Sequence, residues 1–340
     1  MALPTRTLGR HGPQVTGLGL GLMGIGGIYG PAGSDEQRLA LLDHAHEIGE
    51  HFWDTADVYA DSEDVIGKWI QKNPLKFNDV FLATKFGLGL AHPQVIDSSP
   101  EYVKLACQKS LDRLGVETID LYYCHRVDGK TPIEKTIEAM VELKNEGKIR
   151  YLGLSEVSAA TLSRAHAVHP ISAVQVEYSA FAMDIEDPKI GLLQTCRELG
   201  VAVVAYSPMG RGLLAGRYKS RQDLASEQPF LVNMPRYSED NFPRILELVD
   251  KLKSMAAGKG YSAAQLAMAW LMARGQDIIP IPGTRSIKYL EENVGALEVR
   301  LSAAEAEEIS NAVRKTELQG DRYPDSFPSS FIFGDTPLLS

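Results

Sequence analysis

Cysteine is scarce in this chain: Cys107, Cys124 and Cys196 are the only three in 340 residues. None forms C-x-x-C, and an odd, scattered set argues against a disulfide framework, so the sequence reads as one made for a reducing compartment. Long apolar runs are missing too. No stretch reaches the roughly 18 residues a membrane helix needs. Residues 1–12 carry Arg6 and Arg10 and lack an apolar signal core. Positive charge is in deficit, with 35 Lys and Arg against 44 Asp and Glu and a net charge of -9. That balance suits neither nucleic acid nor an anionic membrane, although a local basic pocket for a phosphate stays open. No linker or compositional break divides the chain. What remains, 44% hydrophobic and 23% charged residues, is enough to bury a full core. The expectation is a cytoplasmic protein of one domain, residues 1–340, with a tail at 316–340.

Short β-rich apolar runs alternate with amphipathic stretches. Strands are predicted at 18–20, 52–54, 80–84, 119–123, 151–154, 173–176, 201–205 and 278–281. Helices are predicted between them at 35–48, 63–70, 100–114, 133–146, 159–168 and 191–199, then at 243–259, 263–274 and 288–296. Ser62 and Ser262 look like N-caps, Pro243 suits a first helical position, and Gly115, Gly147 and Gly200 look like stops. Strands that each precede a helix specify a parallel sheet with helical crossovers. Eight is the number at which such a sheet closes, so the fold class is α/β, a (β/α)8 TIM barrel. Residues 5–8 and 14–16 suit a small hairpin before it; the loop 209–240, a helix at 303–315 and the tail fall outside the repeat.

In such a barrel the C-terminal strand ends build the active site. Asp54 ends the second predicted strand with Tyr59 just beyond; Lys85 ends the third and His125 the fourth. A phenol with a pKa near roughly 10 is a poor acid at neutral pH. A nearby ammonium stabilises the phenolate, so Lys85 can activate Tyr59 while Asp54 holds Lys85 charged. His125 can orient a carbonyl. The group has no metal-ligand pattern and no activated nucleophile. It can protonate an oxygen while hydride comes from elsewhere, and no side chain donates hydride, so a cofactor is required.

The motifs F-W-D-T-A-D-V-Y (52–59), A-T-K-F-G (83–87), Y-Y-C-H-R (122–126), I-R-Y-L-G-L-S-E (149–156), Q-V-E-Y-S (175–179), A-Y-S-P-M-G-R-G-L-L (205–214), I-P-G-T-R-S (281–286) and E-E-N (291–293) follow in order along nearly the whole chain. Together they resemble the aldo-keto reductases. The resemblance implies NADPH-dependent reduction of a small-molecule aldehyde or ketone to an alcohol, with the family's tetrad on Asp54, Tyr59, Lys85 and His125 and Tyr59 as general acid. It implies nicotinamide contacts at Ser155, Glu156, Gln175 and the stacking Tyr206, and further NADPH/NADP+ contacts along Ser207, Pro208, Gly210, Gly212 and Gly283. It implies adenosine-phosphate contacts at Thr284, Arg285, Lys288, Glu292 and Asn293. Glu156 stands where many members have Asn, and a carboxylate can accept the carboxamide N–H but cannot donate. Tyr289 lies where several branches place Arg or Gln. Met23, Tyr29, Phe86, Arg126, Tyr178 and Met209 are the pocket candidates. Some relatives serve as ancillary channel subunits, so a cofactor-binding subunit with slow turnover is the rival reading.

Two further patterns lead elsewhere. Gly19-Leu-Gly-Leu-Met-Gly24 matches G-x-G-x-x-G, but a dinucleotide fingerprint needs a helix to start there, and Gly26, Gly27, Gly30 and Pro31 continue a loop instead. His44 and His46 sit two apart on a predicted helix and face different ways. The tail segment 323–333 carries Tyr323, Phe327, Phe331 and Phe333, too apolar to stay solvated. It is expected to dock, either at the barrel mouth or on the outer wall or a neighbouring subunit.

Overall fold

The computed structural model describes residues 2–28, 30–88 and 95–339. A hairpin of β1 (Thr5–Thr7) and β2 (Gln14–Thr16) precedes eight parallel strands. These are β3 (Leu20–Gly21), β4 (Phe52–Asp54), β5 (Phe81–Phe86), β6 (Ile119–Cys124), β7 (Ile149–Ser155), β8 (Ala173–Glu177), β9 (Ala202–Tyr206) and β10 (Ile278–Pro280), each paired with the next. The ring closes where β3 meets the end of β10. Gly19 N–H donates to the Pro280 carbonyl at 2.8 Å, Gly21 N–H donates to Pro282 at 3.1 Å, and Gly21 bridges Gly283. A Cβ on Gly21 would stand 2.8 Å from the Ile281 carbonyl oxygen, so the close approach requires glycine.

The helices wrap the outside: α1 (Asp35–Glu47), α2 (Ser62–Lys72), α3 (Pro100–Leu114), α4 (Ile133–Asn145), α5 (Ala159–Val168) and α6 (Leu192–Leu199) follow β3 to β8. The long loop after β9 contains a short helix, α7 (Arg221–Glu227), then come α8 (Phe242–Ala257) and α9 (Ala263–Ala273); α10 (Ile287–Val294) follows β10, and α11 (Ala303–Thr316) precedes the tail. Ser262 caps α9 with Gln265 reciprocating. Ser62 lies inside α2 instead of capping it, because its hydroxyl is taken up by Thr55 and the Leu22 carbonyl. Pro243 is the second residue of α8.

Side chains alternate along each strand. Phe52, Ala83, Leu121, Tyr123, Ala173, Val204 and Ile279 fill the barrel, with Leu8 and Val15 of the hairpin in the same cluster. Their neighbours Trp53, Leu82, Phe86, Tyr122 and Val203 face the helices. The interior is therefore packed, and open polar chemistry is confined to the C-terminal mouth. Gly19 to Gly24 supplies the seam and a 3-10 turn, Met23–Gly26, not a dinucleotide-binding helix start.

Candidate active site

Parallel pairing sets Asp54 of β4 beside Ala83 of β5. Two residues further along β5 the interior face recurs at Lys85, so the ammonium rises beside the Asp54 carboxylate. Lys85 is wholly buried, and Asp54 nearly so. A buried ammonium must spend all three N–H bonds. Here Nζ donates to Asp54 Oδ1 at 2.6 Å, to the Thr55 carbonyl at 2.6 Å and to Tyr59 Oη at 3.4 Å. Burial opposes the charge, but Asp54 and Tyr59 together hold the Lys85 pKa above its ordinary value. Tyr59 is delivered by the turn after β4, where Ala60 adopts a left-handed φ of 48°. Its oxygen accepts from Lys85, which leaves its own proton free to point into the mouth. Burial raises the phenol's pKa and Lys85 opposes that rise without cancelling it. The expected net lowering of the Tyr59 pKa is therefore corrected: among these side chains, desolvation outweighs the ammonium.

His125 follows β6, its ring edge-on to Tyr59 with centroids 5.8 Å apart. Burial and the cations Arg126 and Lys85 push its pKa well below the ordinary histidine value. It is neutral, and its Nδ1 has no hydrogen-bond partner among the described residues. Gln175 Nε2 donates to Asp54 Oδ2 at 2.7 Å, so the carboxylate that orients Lys85 is itself oriented from β8.

Across the mouth, Glu156 follows β7 with a left-handed φ of 51°, a cost that clusters at functional sites. Its Oε1 accepts from Tyr206 Oη at 2.8 Å, Glu177 N–H at 3.0 Å and Arg322 Nη1 at 2.7 Å, while Oε2 accepts from Arg322 Nη2 at 2.7 Å. Burial works against this carboxylate, yet Arg322 keeps its pKa below the ordinary value. Ser207, which follows Tyr206, and Arg211 are also left-handed, at 51° and 57°.

A family model described as "Aldo/keto reductase family" matches residues 17–314. The chain belongs to the aldo/keto reductase family. It is 52% identical over 327 residues to "Aldo-keto reductase str7" of Strobilurus tenacellus, covering 95% of both chains. It is 46% identical over 345 residues to "Aldo-keto reductase yakc [NADP(+)]" of Schizosaccharomyces pombe, covering 100% of this chain and 99% of that one. Among solved structures it resembles a glycerol dehydrogenase of Gluconobacter oxydans, with a TM-score of 0.81 at 26% identity over 97% of this chain and 100% of that one. It also resembles the holo form of an aldo-keto reductase from Bacillus halodurans, with a TM-score of 0.74 at 28% identity over 91% and 96%.

The aldo/keto reductase barrel gathers the remaining predicted residues unevenly. Ser155 is buried after Leu154, its hydroxyl accepting from Arg126 Nη1 at 3.1 Å. Pro208 follows Ser207, and the turn Gly210–Gly212 runs beneath Phe181; a Cβ on Gly210 would meet that ring at 2.4 Å. At the seam, Thr284 Oγ1 accepts from Ser286 N–H at 3.0 Å, and Arg285 reaches across to the Pro31 carbonyl at 2.5 Å. Lys288 lies over Tyr289 at the start of α10, Glu292 is half-buried one turn on, and Asn293 is buried. Met23 and Met209 are half-buried, while Tyr29 lies outside the described residues.

Three assignments change. Phe86 does not line the pocket: the strand alternation that sends Lys85 inward sends Phe86 outward, fully buried against Tyr122 with centroids 4.9 Å apart. Tyr178 is buried with its hydroxyl donating to Glu186. Glu156 is not a bare acceptor waiting for a carboxamide, because Arg322, Tyr206 and Glu177 occupy it. Arg322 and the Gln175–Asp54 contact were not anticipated. The signal for the first was available: a carboxylate at a buried strand end demands a cation. His44 and His46 diverge as expected, to Glu291 at 2.9 Å and Asp79 at 3.2 Å.

Proposed function

We propose that this chain reduces an aldehyde or ketone to the alcohol with NADPH, Tyr59 acting as general acid. The observation that carries the reading is the 3.4 Å contact from Lys85 Nζ to Tyr59 Oη beside a buried Asp54–Lys85 pair. Residues present fit the dinucleotide. Asn293 has a buried Nδ2 without a partner among the described residues. The N-terminus of α10 has no side-chain cap and carries Arg285 and Lys288 beside it, an arrangement that suits a phosphate. Ser155, Gln175 and Tyr206 would hold the nicotinamide, and Thr284, Arg285, Lys288, Glu292 and Asn293 the adenosine phosphate.

When bound, the nicotinamide supplies the hydride. The chain's own residues do the rest. The phenol stays protonated through the neutral range, as a donor must. Neutral His125 can give a hydrogen bond to the substrate oxygen without surrendering a proton. As negative charge grows on that oxygen, Tyr59 passes its proton to it, and the adjacent Lys85 ammonium stabilises the phenolate left behind. Asp54 and Gln175 keep the ammonium from following. The rival role of an ancillary subunit is not favoured, since the relatives at 46–52% identity are named as reductases.

Tyr59→Phe should leave NADPH binding close to that of the parent while reducing turnover on the order of 10²–10⁴-fold. NADPH fluorescence titration and single-aldehyde kinetics measure the two. Near-normal turnover would remove Tyr59 from the role.

A further inference from the structure

The tail beyond α11 closes on Glu156 from two directions. Arg322, 5% exposed, forks both carboxylate oxygens at 2.7 Å, and further along Gly334 N–H donates to the Glu156 backbone carbonyl at 2.7 Å. Between these points Phe333 takes a left-handed φ of 48° and lays its ring under the Arg322 guanidinium, 4.9 Å from the centroid. Arg322 also stands 3.7 Å from Glu177, and Tyr323 accepts from Arg211 in the Gly210–Gly212 turn at 3.0 Å. The same Glu156 Oε1 that Arg322 grips receives the Tyr206 hydroxyl at 2.8 Å. One tail cation and one ring that the proposed function puts under the nicotinamide thus share a single buried oxygen.

We propose that Arg322 is a positioning residue for the cofactor. By neutralising Glu156 it lets a buried carboxylate persist at the end of β7, and that carboxylate fixes the Tyr206 ring through its hydroxyl. Nicotinamide affinity therefore depends on the docked tail, although Arg322 itself need not touch the dinucleotide. The charge accounting explains why both partners are needed. Glu156 without Arg322 is a buried anion that has lost its hydrogen-bonded counter-charge and keeps only the weaker field of Arg126; it is driven to take up a proton or move, and either response disturbs its bond to Tyr206. The inference rests on the reading that the nicotinamide lies on Tyr206.

Four proteins test it: the parent, Tyr206→Ala, Arg322→Met, and the double variant Glu156→Gln/Arg322→Met. Each is titrated with NADPH and with the adenosine bisphosphate half of NADPH, which lacks the nicotinamide. Arg322→Met should weaken NADPH about tenfold or more and leave the adenosine bisphosphate unchanged. The double variant should recover most of the loss, because the Gln amide oxygen still accepts the Tyr206 hydroxyl and needs no counter-charge. Parent-like NADPH affinity in Arg322→Met would overturn the proposal. So would equal weakening of both ligands, which marks a general structural loss, or a double variant no better than the single one. If Arg322→Met does not fold, the double variant decides: NADPH affinity near the parent's supports the proposal, and affinity about tenfold weaker with the adenosine bisphosphate unaffected overturns it. Tyr206→Ala separates the two levels. Unaltered NADPH binding in that variant defeats the stacking assignment, whereas a damaged Tyr206→Ala beside an unaffected Arg322→Met defeats only this inference.

Discussion

Lys85 shows how little freedom a buried charge has. Its three N–H bonds go to Asp54, Thr55 and Tyr59, so removing the ammonium strands Asp54 and leaves only the more weakly acting Arg126 to oppose burial on Tyr59. Burial raises the phenol's pKa and Lys85 lowers it. A general acid works while protonated, and its activity falls as pH rises through its pKa. Lys85→Met should therefore move the alkaline limb of the kcat/KM profile to higher pH while lowering the plateau, measured with one aldehyde across the pH range. A limb that stays in place would uncouple Lys85 from the donor. The convergence of Asp54, Tyr59, Lys85 and His125 was legible in the sequence because each occupies a strand end or the turn beyond it, and strand ends are where composition changes from apolar to polar. Phe86 was not, because the predicted strand stops at 84 whereas β5 runs on to Phe86, where alternation still turns the ring away from the mouth. Arg322 was harder still, since an ion pair spanning 166 positions leaves no period in the sequence.

At the scale of elements, α10 has only eight residues, and the proposed function gives its start to the adenosine phosphate. Its first-turn N–H groups lack a side-chain cap, and no acidic residue occupies that turn. The positive end of the helix is thus left to an external anion. Arg285 is exposed enough to reach one, and charge-assisted hydrogen bonds contribute about 1.5–3 kcal/mol each. Arg285→Ala should weaken NADPH about tenfold or more while barely changing NADH, read by fluorescence titration of both. Equal losses for the two would place Arg285 away from the extra phosphate. Most element positions were readable from periodicity, with edges moving by a residue or two. The first strand overlapped its expected position least, predicted at 18–20 and found at Leu20–Gly21, because its pairing depends on glycines that carry no pattern.

For the whole molecule, the tail decides how the mouth is finished. Tyr323, Phe327 and Phe331 pack on one another with centroids 5.1 Å apart, Phe230 of the loop after β9 adds its edge, and Phe331 lies against the Arg126 guanidinium. The chain then descends the outer wall, where Arg164 donates to the Thr336 and Pro337 carbonyls at 2.9 and 2.6 Å. Of the two docking places expected from composition, the tail uses the mouth first and the wall second. Truncation after Lys315 should remove on the order of 3–5 kcal/mol of stability by stranding Glu156, and should change KM unequally for large and small aldehydes. Thermal melting and a substrate panel test the two parts; an unchanged ranking would take the aromatics out of the pocket.

The barrel seam has a thermodynamic meaning beyond topology. Gly21 runs on into the turn holding Met23 and Gly24, and Gly283 runs on into Thr284 and Arg285. Arg285 spans the gap to Pro31, and a Cβ on Gly24 would lie 3.4 Å from its side chain. The shortest strand of the ring is thus fastened to the last by residues that the proposed function assigns to the adenosine phosphate. A ligand seated there acts as a staple between chain segments more than 250 residues apart. A ligand that binds only the shut ring then stabilises it by mass action, by an amount that grows with its free concentration relative to Kd.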